Sequence, residues 1–155
     1  MADDALKIKA ADRMRRMCSR REYCSSDIMK KLVDALEGDR NAAMQVLESL
    51  VKDRYVDDMR YASAFARDKA SITGWGSQKI RYALSARRIP PDIIDAALME
   101  VDVKKADDRL EKLMANKLRT LKDDPLCRMK LIRFGLGRGY GYEETARIVD
   151  NLKKR

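Results

Sequence analysis

Histidine is absent from this sequence, and with it the side chain that most often moves protons at neutral pH. Cysteine is scarce: Cys18, Cys24 and Cys127 are the three present, and no two stand in a C-x-x-C pair. That set excludes the usual tetrahedral zinc sites, so no metal and no cofactor is expected. The odd number of thiols reads as free cysteines in a reducing compartment. No run of about 18 apolar residues occurs, which excludes a transmembrane helix. The opening Met1-Ala2-Asp3-Asp4 lacks the basic and apolar segments of a signal peptide, so a cytoplasmic location without a membrane partner is expected. Sustained alternation of apolar and polar residues is also missing, and no sheet is predicted. Seven glycines, three prolines and 6% aromatics leave few helix breakers in the 155-residue chain.

What the chain has in quantity is charge. Charged residues make up 38%, with 34 Lys and Arg against 25 Asp and Glu, a formal net charge of +9. Such an excess favours attraction to polyanions: nucleic acid, or the negative surface of a nucleoprotein complex.

A weak repeat of roughly 50 residues runs through the chain, within the range that marks repeat architectures. Tyr23 is followed by Ile28 and Leu32; Trp75 is followed at the same offsets by Ile80 and Leu84. Arg87-Arg88-Ile89 precedes Ala97 and Leu98 as Arg138-Gly139-Tyr140 precedes Ile148 and Val149. Apolar spacing of i, i+3, i+4, i+7 predicts three helices per copy. They fall near 5–20, 25–37 and 40–52; near 57–71, 76–87 and 90–100; and near 103–120, 124–136 and 141–153. Gly38 is a predicted helix stop, and Pro90-Pro91 and Pro125 are predicted helix openers. The fold expected is therefore all-α: three tandem three-helix repeats, 1–55, 56–102 and 103–155, packed into an elongated, curved array. Units so small bury little core alone and need their neighbours.

Asp57-Asp58 stands where it caps the helix that carries Tyr61 and Phe65 on one face. Asp107-Asp108, Asp123-Asp124 and Glu143-Glu144 are likewise read as residues near helix starts. Tyr23, Trp75 and Tyr140 each lead from a loop into a helix and read as anchors of their triplets. Gly74-Trp75-Gly76 and Gly135-Leu136-Gly137-Arg138-Gly139 lack the lysine and preceding strand of a phosphate-binding loop. The second of these reads as a flexible turn. Ser25, Ser26 and Ser77 have no base beside them. No catalytic residue is assigned, and an enzyme is not expected. Basic residues recur around the middle helix of each copy: Arg20, Arg21, Lys30 and Lys31; Lys79, Arg81, Arg87 and Arg88; Arg128, Lys130, Arg133 and Arg138. Together they form a candidate binding stripe whose affinity for phosphates would be salt-sensitive.

Several motifs, in order, give the chain a family resemblance. They are Arg20-Arg21-Glu22-Tyr23 with Asp27-Ile28 and Lys31-Leu32; Asp57-Asp58-Met59-Arg60-Tyr61-Ala62 with Phe65; Gly74 with Lys79-Ile80; and Arg133-Phe134 with Arg138-Gly139-Tyr140. This set resembles the RecX family, small bacterial regulators of the RecA recombinase. Against the family pattern, Cys24 replaces a capping serine, Arg88 a glycine and Gly135 a bulky apolar residue. The resemblance implies a non-enzymatic inhibitor that binds in the groove of the RecA–ssDNA filament. It would block filament extension or promote disassembly, and so modulate recombination, DNA repair and the SOS response. It also implies a structural role for Tyr23, Asp57, Asp58, Arg60, Tyr61, Phe65, Gly74 and Trp75. Direct contact with ssDNA or dsDNA and a monomeric state are further expectations. Two alternatives stay open: an independent DNA-binding protein that competes for ssDNA, and a helical adaptor for another protein.

Overall fold

The computed structural model describes residues 1–154, and every regular element among them is helical. The helices are α1 (Asp4–Cys18), α2 (Ser25–Ala35), α3 (Arg40–Lys52), α4 (Asp58–Asp68), α5 (Ser77–Ala86), α6 (Pro91–Met99), α7 (Val103–Leu121), α8 (Cys127–Gly137) and α9 (Tyr142–Lys153). A π-helical turn, Lys69–Thr73, extends α4. Three cores follow in order. Met14, Ile28, Leu32, Leu36 and Leu50 fill the first. Ala62, Ala66, Ile80, Leu84 and Ile94 fill the second. Leu110, Met114, Leu131 and Val149 fill the third. The array is serial: α7 packs on the π turn, linking the second and third groups.

Local chemistry explains the helix ends. Asp3, Asp39, Asp57 and Asp102 each accept a hydrogen bond from the N–H three residues on, at 2.8–3.1 Å, satisfying a donor that the first turn leaves free. Gly38 sits at φ 87° and donates to the Val33 carbonyl, closing α2 as predicted. Three expectations need correction. Pro125 lies in the turn before α8, where the Asp124 carboxylate accepts from the Leu126 N–H. Asp107-Asp108 lies within α7, whose cap is Asp102. Gly135 and Gly137 belong to α8, so the first part of that glycine run is helix, and the turn is confined to Arg138-Gly139, with Gly139 at φ 94°. A Cβ at Gly135 would collide with Thr145 and Met114; those two side chains fill the space that the family's bulky apolar residue would take.

The middle helices of the three groups meet end to end. At the second junction the Gly76 N–H donates to the Arg138 carbonyl (2.7 Å) and the Gln78 N–H to the Gly139 carbonyl (3.1 Å). The start of α5 thus rests on the end of α8, positive pole on negative. The approach requires glycine, because a Cβ on Gly76 would overlap the Gly139 carbonyl and one on Gly139 would overlap Lys79. At the first junction the repeat puts Cys24 in place of Gly76 and Arg88 in place of Gly139. Side chains now make the bonds. Asp58 accepts from the Ser25 N–H (2.8 Å) and hydroxyl (2.5 Å), and the Ser26 hydroxyl donates to the Arg87 carbonyl (2.6 Å). Arg60 adds two hydrogen bonds to Glu22, at 2.8 and 2.9 Å.

Candidate functional site

Tyr61 and Phe65, one turn apart on α4, stack with centroids 5.9 Å apart, and Trp75 meets Phe65 edge-on at 6.1 Å. All three rings are half-buried over the second core. Cations lie on them. The Lys69 ammonium is 4.6 Å from the Trp75 centroid and 5.6 Å from that of Phe65. Lys79 is 4.7 Å from Trp75, and the Arg87 guanidinium is 5.1 Å from Phe65. The row continues into the third group, where Arg138 and Lys117 sit 5.2 and 5.1 Å from the Phe134 ring. Backbone carbonyls steady it: Arg138 donates to Thr73, Lys79 to Gly137 and Arg87 to Ala83.

None of Lys69, Lys79, Arg87, Lys117 and Arg138 pairs with a carboxylate among the described residues. The distinction matters chemically. A carboxylate neutralises its cation, whereas a ring face positions it for about 0.5–1 kcal/mol and leaves its charge unneutralised. Burial raises the Tyr61 hydroxyl pKa, keeping that ring neutral beside Arg87.

The structure sorts the predicted stripe. It brings Lys79, Arg87 and Arg138 together in the row just described. Arg81 is held by Asp95 at 2.7 Å, Arg128 by Asp150 at 2.9 Å and Lys130 by Asp124 at 2.5 Å. Asp150 and Asp124 are pushed below the usual carboxylate range by those hydrogen bonds. Arg21 and Lys31 flank Tyr23 at 4.4 and 5.9 Å, a separate cluster on the first group. Arg20, Lys30, Arg88 and Arg133 are exposed. Sequence reading missed Lys69 and Lys117. Lys69 follows Phe65 by one helical turn, a signal open to inspection; Lys117 reaches Phe134 across two helices and carries none.

The remaining signature residues make their contacts within the fold. Asp57 caps α4, Asp58 and Arg60 bridge the first two groups, and Gly74 adopts φ 76° with α7 close against it. Tyr140 is buried and donates to the Ala106 carbonyl; its hydroxyl pKa is pushed up to about 12 by burial, with Asp107 and Glu144 adding to it. All three cysteines are free thiols. No helix among the described residues is long and apolar enough to cross a membrane, and no metal-ligand cluster occurs among them.

Residues 57–98 match the family model described as RecX, second three-helix domain. A curated relative, "Regulatory protein RecX" of Clostridium botulinum (strain Eklund 17B / Type B), is 32% identical over 115 residues, covering 72% of this chain and 53% of the relative. The protein of that name from Mycobacterium sp. (strain JLS) is 27% identical over 117 residues, 72% of this chain and 64% of its own length. The chain spans about half the length of the clostridial relatives it matches. Two crystal structures share the fold, each with a TM-score of 0.82: a regulatory protein RecX at 23% identity, and RecX from Lactobacillus salivarius at 16%. The alignment with the first covers 94% of this chain and 72% of that one; with the second, 97% and 99%.

Proposed function

The chain belongs to the RecX family of regulatory proteins, and on that premise we propose that it regulates a RecA recombinase by binding in the groove of the RecA–ssDNA filament. It acts there as an inhibitor, blocking extension or promoting disassembly. The observation that supports this reading is the row of ring-borne cations, Arg87, Lys69, Lys79, Arg138 and Lys117, on the second and third groups. Uncompensated cations on a serial helical array suit a long, regularly spaced polyanion, either the phosphate backbone or the acidic surface of a filament. Rings already covered by the protein's own cations are poorly placed to stack on bases, so the contact is with phosphates or carboxylates and is indifferent to sequence. In this reading residues 1–55, 56–102 and 103–155 are the three units, and the protein acts as a cytoplasmic monomer without a cofactor.

The test is ATP hydrolysis by the cognate recombinase on single-stranded DNA, titrated with this protein at two salt concentrations and with DNA in excess. Inhibition well below one protein per recombinase subunit that survives excess DNA supports action on the filament. Inhibition abolished by excess DNA means competition for strands. No effect at either salt removes the recombinase as partner.

A further inference from the structure

At the first junction Cys24 and Arg88 take the places of the close-packing glycines Gly76 and Gly139, and side-chain hydrogen bonds join the groups. A crevice of about 650 Å³ remains between α2, α3 and the end of α5. Met29, Val33 and Leu47 form its apolar floor; Lys30, Arg40 and Arg88 stand around it as cations, with Asp34 the acid at its edge. None of the three cations pairs with a carboxylate or a ring among the described residues. Arg88 is also in the left-handed region, at φ 60°, a conformation that glycine adopts without strain. The repeat equivalent Gly139 does so at φ 94°. An arginine held there presents a charge to the crevice at a conformational cost.

We propose that this crevice is a docking site for an acidic, amphipathic segment of a partner protein. Charge complementarity selects an acidic occupant. The floor of methionine, valine and leucine selects apolar side chains on its inner face, and the unbranched, flexible Met29 adapts to their shape. A nucleic-acid backbone offers phosphates but nothing to cover that floor, so a peptide fits the site better. The mode is a helix laid in a groove, with anchors one turn apart and carboxylates on the flanks. The site is distinct from the ring-borne cations and holds whether or not the partner is a recombinase.

The experiment uses the full chain and a fluorescein-labelled probe peptide of about 15 residues, with leucines at i, i+4 and i+7 and glutamates on the flanks, read by anisotropy. The wild-type protein binds it saturably. Replacing Arg88→Gly together with Arg40→Gln weakens binding by about tenfold, as expected for loss of charge-assisted contacts, while Arg88→Lys retains it. Circular dichroism melts verify that each variant folds; glycine at position 88 relieves strain, so loss of binding there is not loss of fold. A probe with serine in place of leucine binds weakly. Equal binding by the double variant, equal binding of the serine probe, or displacement of the probe by an equimolar oligothymidylate would overturn the assignment, the last by giving the crevice to nucleic acid.

Discussion

Arg88 shows how one side chain can be read twice. Its left-handed backbone costs about 1–2 kcal/mol for a residue with a Cβ. Glycine avoids that cost but loses about 0.4–1 kcal/mol through the freedom it adds to the unfolded chain. Arg88→Gly is therefore expected to stabilise the protein by up to about 1 kcal/mol, seen as a higher urea midpoint at unchanged slope. Carboxylates give a second residue-level prediction. Asp39 is held below its ordinary range by the Ala2 and Ala42 N–H groups, Asp124 by Lys130 and the Leu126 N–H, and Asp150 by Arg128. Their folded pKa values lie below the unfolded value near 4. The stability they contribute is thus complete above that pH and is lost as pH falls through the folded values. Asp107 runs the other way, raised mainly by burial, with Glu144 and Asp108 adding to it and Arg147 opposing. Its stability contribution is present below the unfolded carboxylate value and is lost as pH rises through its raised folded value. In melts from pH 2 to 7, Asp150→Asn should shrink the acid-side loss of stability, and Asp107→Asn should enlarge the net rise toward neutral pH.

Elements were the most legible level in the sequence, because nine amphipathic runs with aspartate, proline or glycine at their ends carry their own boundaries. The helix starts at Arg40 and Val103 coincide with expectation, as does the Asp57 cap. The misreadings have one cause. Pro125, Asp107-Asp108 and Gly135 show where residue type alone misleads: the Asp124 carboxylate makes the turn at Pro125, Asp102 rather than Asp107-Asp108 caps α7, and Thr145 with Met114 occupies the space at Gly135. The basic row was half legible. Lys79, Arg87 and Arg138 recur with the repeat, but the choice between a ring and a carboxylate as partner is made across helices, so Arg81 and Arg128 looked no different. Gly76→Ala should therefore act as an element-level lesion. Its Cβ meets backbone, which cannot swing aside, so a loss of about 1–3 kcal/mol is expected, with amide exchange quickening at the start of α5 and the end of α8. Gly137→Ala, with open space around it, is the control and should be neutral or slightly stabilising.

On the scale of the whole molecule, the ring-borne cations and the ion-paired ones should separate in function. Lys69→Glu with Lys117→Glu reverses two charges whose ammonium groups rest on rings rather than on carboxylates. On the proposed function, it should weaken inhibition of recombinase ATPase at least tenfold at low salt, with a melting temperature lowered by about 2–8 °C, since two ring-borne cations at about 0.5–1 kcal/mol each are lost. The difference should narrow at high salt as screening shortens the Debye length. Arg81→Glu breaks an exposed pair with Asp95 and should cost inhibition far less.

The two junctions also differ in what can alter them. The second is made by main-chain amides that every residue but proline carries, and a side chain added at Gly76 or Gly139 is what disturbs it. The first is written in side chains, Asp58, Ser25, Ser26, Arg60 and Glu22, so single replacements can remove it bond by bond. The first joint is therefore the one that sequence change can tune by degrees, and the second is the one it can only keep or break.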